Sequence, residues 1–156
     1  AEGASPIVNA FRKKKMIMEP ILSPETVATA IQIGNPVSWK KALNAIYNSK
    51  GYAETVSDNE ILDAQRLLAQ TEGIFAEPAS ATPIASLKKL LDQGVITRSD
   101  SIVCVATGHG LKDADVITRV FGKPIEVEAD IDKIEKSLHL LVKYDRWLEE
   151  SIENKN

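Results

Sequence analysis

Residues 100–113 read Asp-Ser-Ile-Val-Cys-Val-Ala-Thr-Gly-His-Gly-Leu-Lys-Asp, an unbroken apolar run that leads into a hydroxyl and two glycines. Consecutive apolar residues, some of them β-branched, are typical of a strand that is buried on both faces in a parallel sheet. In open α/β sheets, ligands bind at the carboxyl ends of such strands. The stretch therefore predicts a central strand over 101–106 that brings the Thr107 hydroxyl to a binding site.

Two glycines follow Thr107 in the pattern Gly-x-Gly. Gly108 and Gly110 lack a Cβ, so a planar ligand could approach the backbone closely at these positions. A short Gly-x-Gly is a weak signal on its own. An ordinary strand-to-loop turn is the alternative that this spacing leaves open.

Helical and extended segments alternate along the chain. Residues suited to helix ends stand at Ser5, Gly51, 57–60 and Asp130. Helical spacing of apolar residues predicts helices over 5–13, 38–50, 57–70, 80–93 and 130–148, with a short one at 115–121 and an ambiguous segment at 26–31. Extended segments are predicted at 52–56, 73–76 and 101–106. This order favours an α/β fold, a partial open parallel sheet with flanking helices.

Composition restricts the class of protein. The chain of 156 residues is 44% hydrophobic and 26% charged with a net charge of −3, which predicts one globular segment, 1–156, without an internal boundary. The charge balance argues against a nucleic-acid partner, and the apolar runs are too short to span a membrane. The single cysteine, Cys104, lies in the predicted buried strand, so we expect a reducing, cytoplasmic compartment. The missing initiator methionine suggests a processed or excised fragment.

Glu77 is a second candidate site residue. It follows the extended segment 73–76, and if that segment belongs to the same parallel sheet, Glu77 and Thr107 emerge at the same edge. A rim carboxylate on a loop is the alternative. His109 and His139 have no partner at the spacing of metal ligands, so ordinary turn and helix positions are the simpler interpretation and no metal site is expected.

Four blocks of the sequence, in this order, resemble the threonine synthase family. They are residues 1–7 (AEGASPI), 28–36 (ATAIQIGNP), 73–81 (GIFAEPASA) and 105–113 (VATGHGLKD). The resemblance spans roughly 1–129 and is to the carboxyl-terminal part of these fold-type II (tryptophan synthase β-like) pyridoxal-phosphate enzymes. Ala114 stands where the family commonly has proline, which alters a turn without touching a reacting group.

The resemblance implies pyridoxal 5'-phosphate (PLP) as the cofactor and a place in the PLP-binding large domain. Thr107 would face the pyridine nitrogen as a neutral partner, and Glu77 would lie near the cofactor. Gly108 and Gly110 would pack against it. No catalytic residue is expected in this chain, because the family's Schiff-base lysine and phosphate loop come from earlier sequence.

The implied activity is the conversion of O-phosphohomoserine and water to threonine and phosphate, with the chain inactive on its own. Lys40 and Lys41 are not substitutes for the Schiff-base lysine, since they fall on the polar side of a predicted helix. Two alternatives are a related threonine or serine dehydratase and a non-catalytic α/β interaction module. Because a partial sheet exposes edges, we expect a homodimer or a companion chain.

Overall fold

The computed structural model describes residues 1–113, 115–116, 118, 122 and 125–138. The chain divides into two compact units, Ala1–Phe121 and Gly122–Asn156. The sequence predicts one segment without such a division, because no linker-like composition marks the boundary. Gly122, the first residue of the second unit, has a φ of 79°, a conformation that residues with a Cβ rarely adopt.

Four α-helices are described in the first unit. They are α1 (Pro6–Arg12), α2 (Trp39–Asn48), α3 (Asp58–Glu72) and α4 (Pro78–Asp92), with short 3-10 turns at Glu2–Ala4, Thr29–Ile31 and Gly110–Asp113. The helices predicted over 5–13, 38–50, 57–70 and 80–93 are confirmed to within two residues at each end. α4 begins at Pro78 rather than Ser80, because the fixed φ of proline suits the first helical position, where its missing N–H costs nothing.

α1 and α2 pack together through one apolar cluster. Its buried members are Ala10, Met18 and Leu43, and the side chains packed against them are Ile7, Phe11, Trp39 and Tyr47. The ring of Phe11 lies 5.8 Å from that of Tyr47. α1 thus packs against α2 through the face that carries Ile7, Ala10 and Phe11.

α3 and α4 share a second cluster, which holds the elements of the candidate site. Its buried members are Ala28, Val56, Ile61, Ala64, Ala79 and Ala81. α3 begins with the predicted capping box, in which Ser57 Oγ accepts from the Glu60 N–H at 3.3 Å and Glu60 Oε2 accepts from the Ser57 N–H at 2.6 Å. It ends at Gly73, whose φ of 66° is left-handed.

Two predicted helix ends differ in detail. The backbone of Ser5 is not in the extended conformation that a cap requires, and its hydroxyl donates to the Glu2 carbonyl at 2.9 Å instead of capping α1. After α2, the positive φ falls on Lys50, at 53°, while Gly51 donates its N–H to the Ile46 carbonyl at 2.8 Å.

The predicted parallel sheet does not form among the described residues. Pairing there is limited to one antiparallel bridge, between Ala76 and His109. Residues 101–107 have no regular secondary structure, and Val103 and Val105 are 89% and 64% exposed rather than buried. In the described part of the chain, no backbone hydrogen bond joins 101–106 to another segment. A strand without a neighbour has no ladder to hold it. The segments 52–56 and 73–76 also form no strand, and the one bridge at Ala76 does not extend into a ladder.

The second unit contains a helix over 131–138. Asp130 Oδ1 accepts from the Lys133 N–H at 3.1 Å, which confirms the predicted cap. The remainder of the helix predicted to 148, His139, Ala114 and part of the helix predicted over 115–121 lie outside the described residues. Among the helices that the structure describes, none is long and apolar enough to cross a membrane.

Candidate cofactor-binding site

The turn after residue 107 lies against the segment that leads into α4. The Glu77 N–H donates to the Gly108 carbonyl at 3.0 Å, and the Gly110 N–H donates to the Phe75 carbonyl at 2.9 Å. These two bonds hold the bridge between Ala76 and His109 in place. Thr107, Gly108, Gly110 and Glu77 are therefore brought together, although by an antiparallel bridge rather than by the predicted parallel sheet.

A buried serine links the two segments. Ser80 Oγ lies 2.8 Å from Thr107 Oγ1 and accepts from the Gly108 N–H at 2.7 Å. Ser80 is only 1% exposed, whereas Thr107 is exposed. The sequence places Ser80 at the start of a helix and gives it no role at the site. Because α4 begins at Pro78, Ser80 lies in its first turn, where its hydroxyl meets the glycine turn.

Glu77 is buried behind the turn. It is 5% exposed and precedes α4 as the cap residue, but its carboxylate makes no capping hydrogen bond. The carboxylate is paired instead with Lys112, whose Nζ lies 3.3 Å from Oε2. Nothing in the sequence spacing of Lys112 and Glu77 indicates this ion pair. Glu77 is thus not a solvated rim carboxylate.

The two glycines are constrained by packing against the segment 75–77. A Cβ on Gly108 would lie 2.1 Å from Glu77 Oε1, and a Cβ on Gly110 would lie 2.6 Å from ring atoms of Phe75. The prediction from the sequence is that these positions lack a Cβ so that a ligand can approach the backbone closely. The structure adds a different requirement, since the absent side chains would point at the neighbouring segment of the protein.

Gln65 supports the site from α3. Its Nε2 donates to the Ala76 carbonyl at 2.7 Å, directly before Glu77. Gln65 is 1% exposed, and its Oε1 has no hydrogen-bond partner among the described residues. Periodicity alone does not find this residue, because a glutamine in a helix is usually on the solvent side.

His109 and the paired lysines have the ordinary roles that the sequence suggests. The His109 ring packs edge-on against Phe75 at 5.5 Å, and its Nδ1 accepts from the Leu111 N–H at 3.1 Å. Lys40 and Lys41 are exposed on α2, with Lys40 over the Trp39 ring. Within the described ranges, no group of three or more histidine, cysteine or acidic residues could hold a metal ion.

Comparison with known proteins agrees with the resemblance seen in the sequence. Residues 1–108 match the family described as pyridoxal-phosphate dependent enzyme. The threonine synthase of Methanocaldococcus jannaschii is 57% identical over 138 residues, covering 88% of this chain and 34% of the relative. That of Methanosarcina acetivorans is 51% identical with the same coverage, and that of Mycobacterium bovis is 44% identical, covering 86% of this chain and 36% of the relative.

The chain spans about a third of the length of these relatives. The matched family confirms PLP as the expected cofactor and supports the fold-type II class. The match covers residues 1–108, more than half of the 156-residue chain. The chain therefore belongs to the family of pyridoxal-phosphate dependent enzymes.

Proposed function

We propose that this chain is the carboxyl-terminal portion of a threonine synthase. In this proposal the complete enzyme converts O-phospho-L-homoserine and water to L-threonine and phosphate, and the chain alone does not. The observation that carries the proposal is the exposed Thr107 hydroxyl, fixed beside the glycine turn by buried Ser80. Relatives named threonine synthase that are 57% and 51% identical over 138 residues support it.

The residues present suit one wall of a PLP site. Thr107 offers a neutral hydroxyl to the ring nitrogen, so it can hold the ring without forcing a proton onto it. Gly108 and Gly110 form the backbone of the wall, and Glu77, paired with Lys112, fixes its position from behind. When bound, PLP supplies an electron sink for bond changes at the substrate carbons, and the protein tunes that sink.

The fold and the partners belong to the same proposal. An amino-terminal portion would supply the Schiff-base lysine, the phosphate loop and the strands that flank 101–106, which would then become part of a parallel sheet. The exposed side chains of Val103 and Val105 support this, because consecutive apolar residues of this kind are typical of a strand that neighbouring segments cover on both faces. The chain as a whole, 1–156, would lie in the PLP-binding large domain of a homodimer, or beside a companion chain, in the cytoplasm.

A chimera tests the activity. The matching part of the Methanocaldococcus jannaschii relative is replaced by this chain, and phosphate release from O-phospho-L-homoserine is measured. Release is expected from the PLP-loaded chimera and not from the chain alone. A folded, PLP-loaded chimera that releases no phosphate would overturn the proposal, and ketoacid with ammonia as products would identify a dehydratase instead.

A matched pair of variants tests whether phosphate release depends on the Thr107 hydroxyl. Thr107→Val removes the hydroxyl and is expected to lower kcat/KM at least about tenfold, the value of one hydrogen bond of about 1.4 kcal/mol. Thr71→Val removes a hydroxyl at an exposed position of α3 that only donates to the Leu67 carbonyl, and is expected to leave the rate unchanged. Equal rates for the two variants would contradict the role of Thr107.

A further inference from the structure

We propose that Ser80 is a positioning residue that sets the direction of the hydrogen bonds at Thr107, so that Thr107 presents a proton to the ligand. The inference rests on the proposed function in one respect, that the ligand atom facing Thr107 is the ring nitrogen of PLP. Ser80 itself does not face the ligand, because it is 1% exposed beneath the turn. Its effect on the ligand must pass through the Thr107 hydroxyl.

The hydrogen-bond inventory at Ser80 leaves few arrangements. A serine hydroxyl has one proton to donate and two lone pairs to accept with. The Gly108 N–H, at 2.7 Å, can only donate, so it occupies one lone pair of Ser80 Oγ. The hydroxyl proton of Ser80 is not used by this bond and can be donated to another acceptor.

Distance decides between two acceptors for that proton. Thr107 Oγ1 lies 2.8 Å from Ser80 Oγ, which is the usual separation for hydrogen-bonded hydroxyls, while Glu77 Oε1 lies at 3.5 Å. The charge of Glu77 would favour it as an acceptor, but 3.5 Å is the outer limit for a hydrogen bond between oxygen atoms and is well beyond the usual value of about 2.7–2.8 Å, and Lys112 Nζ also lies 3.5 Å from the same Oε1. The Ser80 proton therefore goes to Thr107.

Thr107 is left with its own proton to donate. Because it accepts from Ser80, its hydroxyl proton is directed away from Ser80, and the exposed side of Thr107 is the side open to a ligand. A Thr107 hydroxyl that donates its proton here forms a hydrogen bond with an unprotonated ring nitrogen. The same proton is repelled by a ring nitrogen that already carries a proton. Ser80 would thus help to keep the ring nitrogen unprotonated, a property that the Thr107 hydroxyl alone does not guarantee.

The test reads the protonation of the ring nitrogen directly. The chimera is loaded with PLP labelled with ¹⁵N in the ring, and the ¹⁵N resonance is followed over a range of pH. The unsubstituted protein is expected to show an unprotonated nitrogen throughout. A protonated nitrogen in that protein would overturn the proposal without needing any variant to fold.

Variants assign the effect to Ser80. Ser80→Ala is expected to move the ¹⁵N resonance toward the protonated form or to weaken PLP binding about tenfold, as the loss of one hydrogen bond would. Ser86→Ala is the matched control on α4, since the Ser86 hydroxyl only donates to the Thr82 carbonyl at 2.7 Å. Identical behaviour of the two variants would contradict the role of Ser80.

A double variant tests whether the effect of Ser80 on PLP binding passes through Thr107. If Ser80 acts through Thr107, Ser80→Ala should have little further effect on PLP binding in a Thr107→Val background, whereas additive losses would argue against this route. Phosphate release is recorded on the same samples. An active chimera with a protonated nitrogen rejects the inference alone, and an inactive chimera with an unprotonated nitrogen rejects the proposed function alone.

Discussion

Gly108 lies with its α-carbon against the Glu77 carboxylate, so Gly108→Ala should be destabilising. The added Cβ would lie 2.1 Å from Oε1 and 2.5 Å from Cδ of Glu77. Glu77 is 5% exposed and paired with Lys112, so it cannot move aside without losing that contact. We expect a loss of about 1–3 kcal/mol in the free energy of unfolding, measured with urea.

The same substitution in a Glu77→Ala background isolates the cause. Truncating Glu77 removes the carboxylate that the new Cβ would meet, so Gly108→Ala should cost clearly less there than in the unsubstituted chain. Lys112 is 63% exposed and is readily solvated once its partner is gone. An equal cost in both backgrounds would show that steric contact with Glu77 is not the reason for the glycine.

The residues of the candidate site were predictable to different degrees. Thr107 and Glu77 each follow an apolar segment, which favoured their meeting at one edge of a parallel sheet; the structure brings them together through an antiparallel bridge instead. Ser80 and Gln65 were not predictable in the same way, because their partners, Thr107 and the Ala76 carbonyl, are set by three-dimensional packing. A polar residue near a helix start gives the same sequence pattern whether it faces water or a buried turn.

At the scale of the element, the capping box of α3 gives a prediction about helix stability. Ser57→Ala removes the hydroxyl that accepts from the Glu60 N–H, and should cost about 1 kcal/mol in the free energy of unfolding. Ser49→Ala is the control, since the exposed Ser49 hydroxyl only donates to the Ile46 carbonyl. Urea unfolding of both variants measures the difference, and a Ser57 variant as stable as the Ser49 variant would contradict the prediction.

The capping box also predicts a dependence on pH. The hydrogen bond from the Ser57 N–H lowers the pKa of Glu60 below its ordinary value of 4.5, with further support from the Ser57 hydroxyl and the charge of Lys89. A carboxyl whose pKa is lowered by folding stabilises the protein fully above its unfolded-state pKa. That contribution is lost as the pH falls through the lower folded-state pKa.

Glu60→Gln separates this effect from acid unfolding in general. Glutamine can still accept the Ser57 N–H but does not titrate, so the variant should lose less free energy of unfolding than the unsubstituted chain between about pH 5 and pH 3. Glu2→Gln, at an exposed acidic residue outside the box, is the matched control. Parallel pH profiles for Glu60→Gln and the unsubstituted chain would contradict the assignment.

Helices and strands differ in how far the sequence could specify them. α3 contains its own signals, from the capping box at Ser57 to the left-handed Gly73, and its backbone hydrogen bonds are local. The apolar run 101–106 has equally clear strand composition, but a strand requires hydrogen-bond partners from elsewhere in the polypeptide. Within the part of the chain that the structure describes, those partners are not provided.

At the scale of the whole molecule, the exposed run 101–106 is the surface that the proposed amino-terminal portion should cover. Val103 is 89% exposed in the chain, yet the proposal places it inside a sheet. Amide hydrogen exchange provides a first measure, because 101–106 should exchange rapidly in the chain alone and slowly in the chimera. Amides of α3, which are hydrogen-bonded in both, should be protected in both.

Val103→Lys tests the same surface by substitution. In the chain alone, a lysine at this exposed position should change the free energy of unfolding by no more than about 0.5 kcal/mol. In the chimera it would place an unpaired charge inside the sheet, so the chimera should be destabilised by several kcal/mol and should lose PLP. Val37→Lys, at a position that is 98% exposed and outside the predicted strands, is the matched control and should be tolerated in both proteins. If the chimera tolerates Val103→Lys as well as Val37→Lys, then 101–106 stays on the surface and the proposed sheet is wrong.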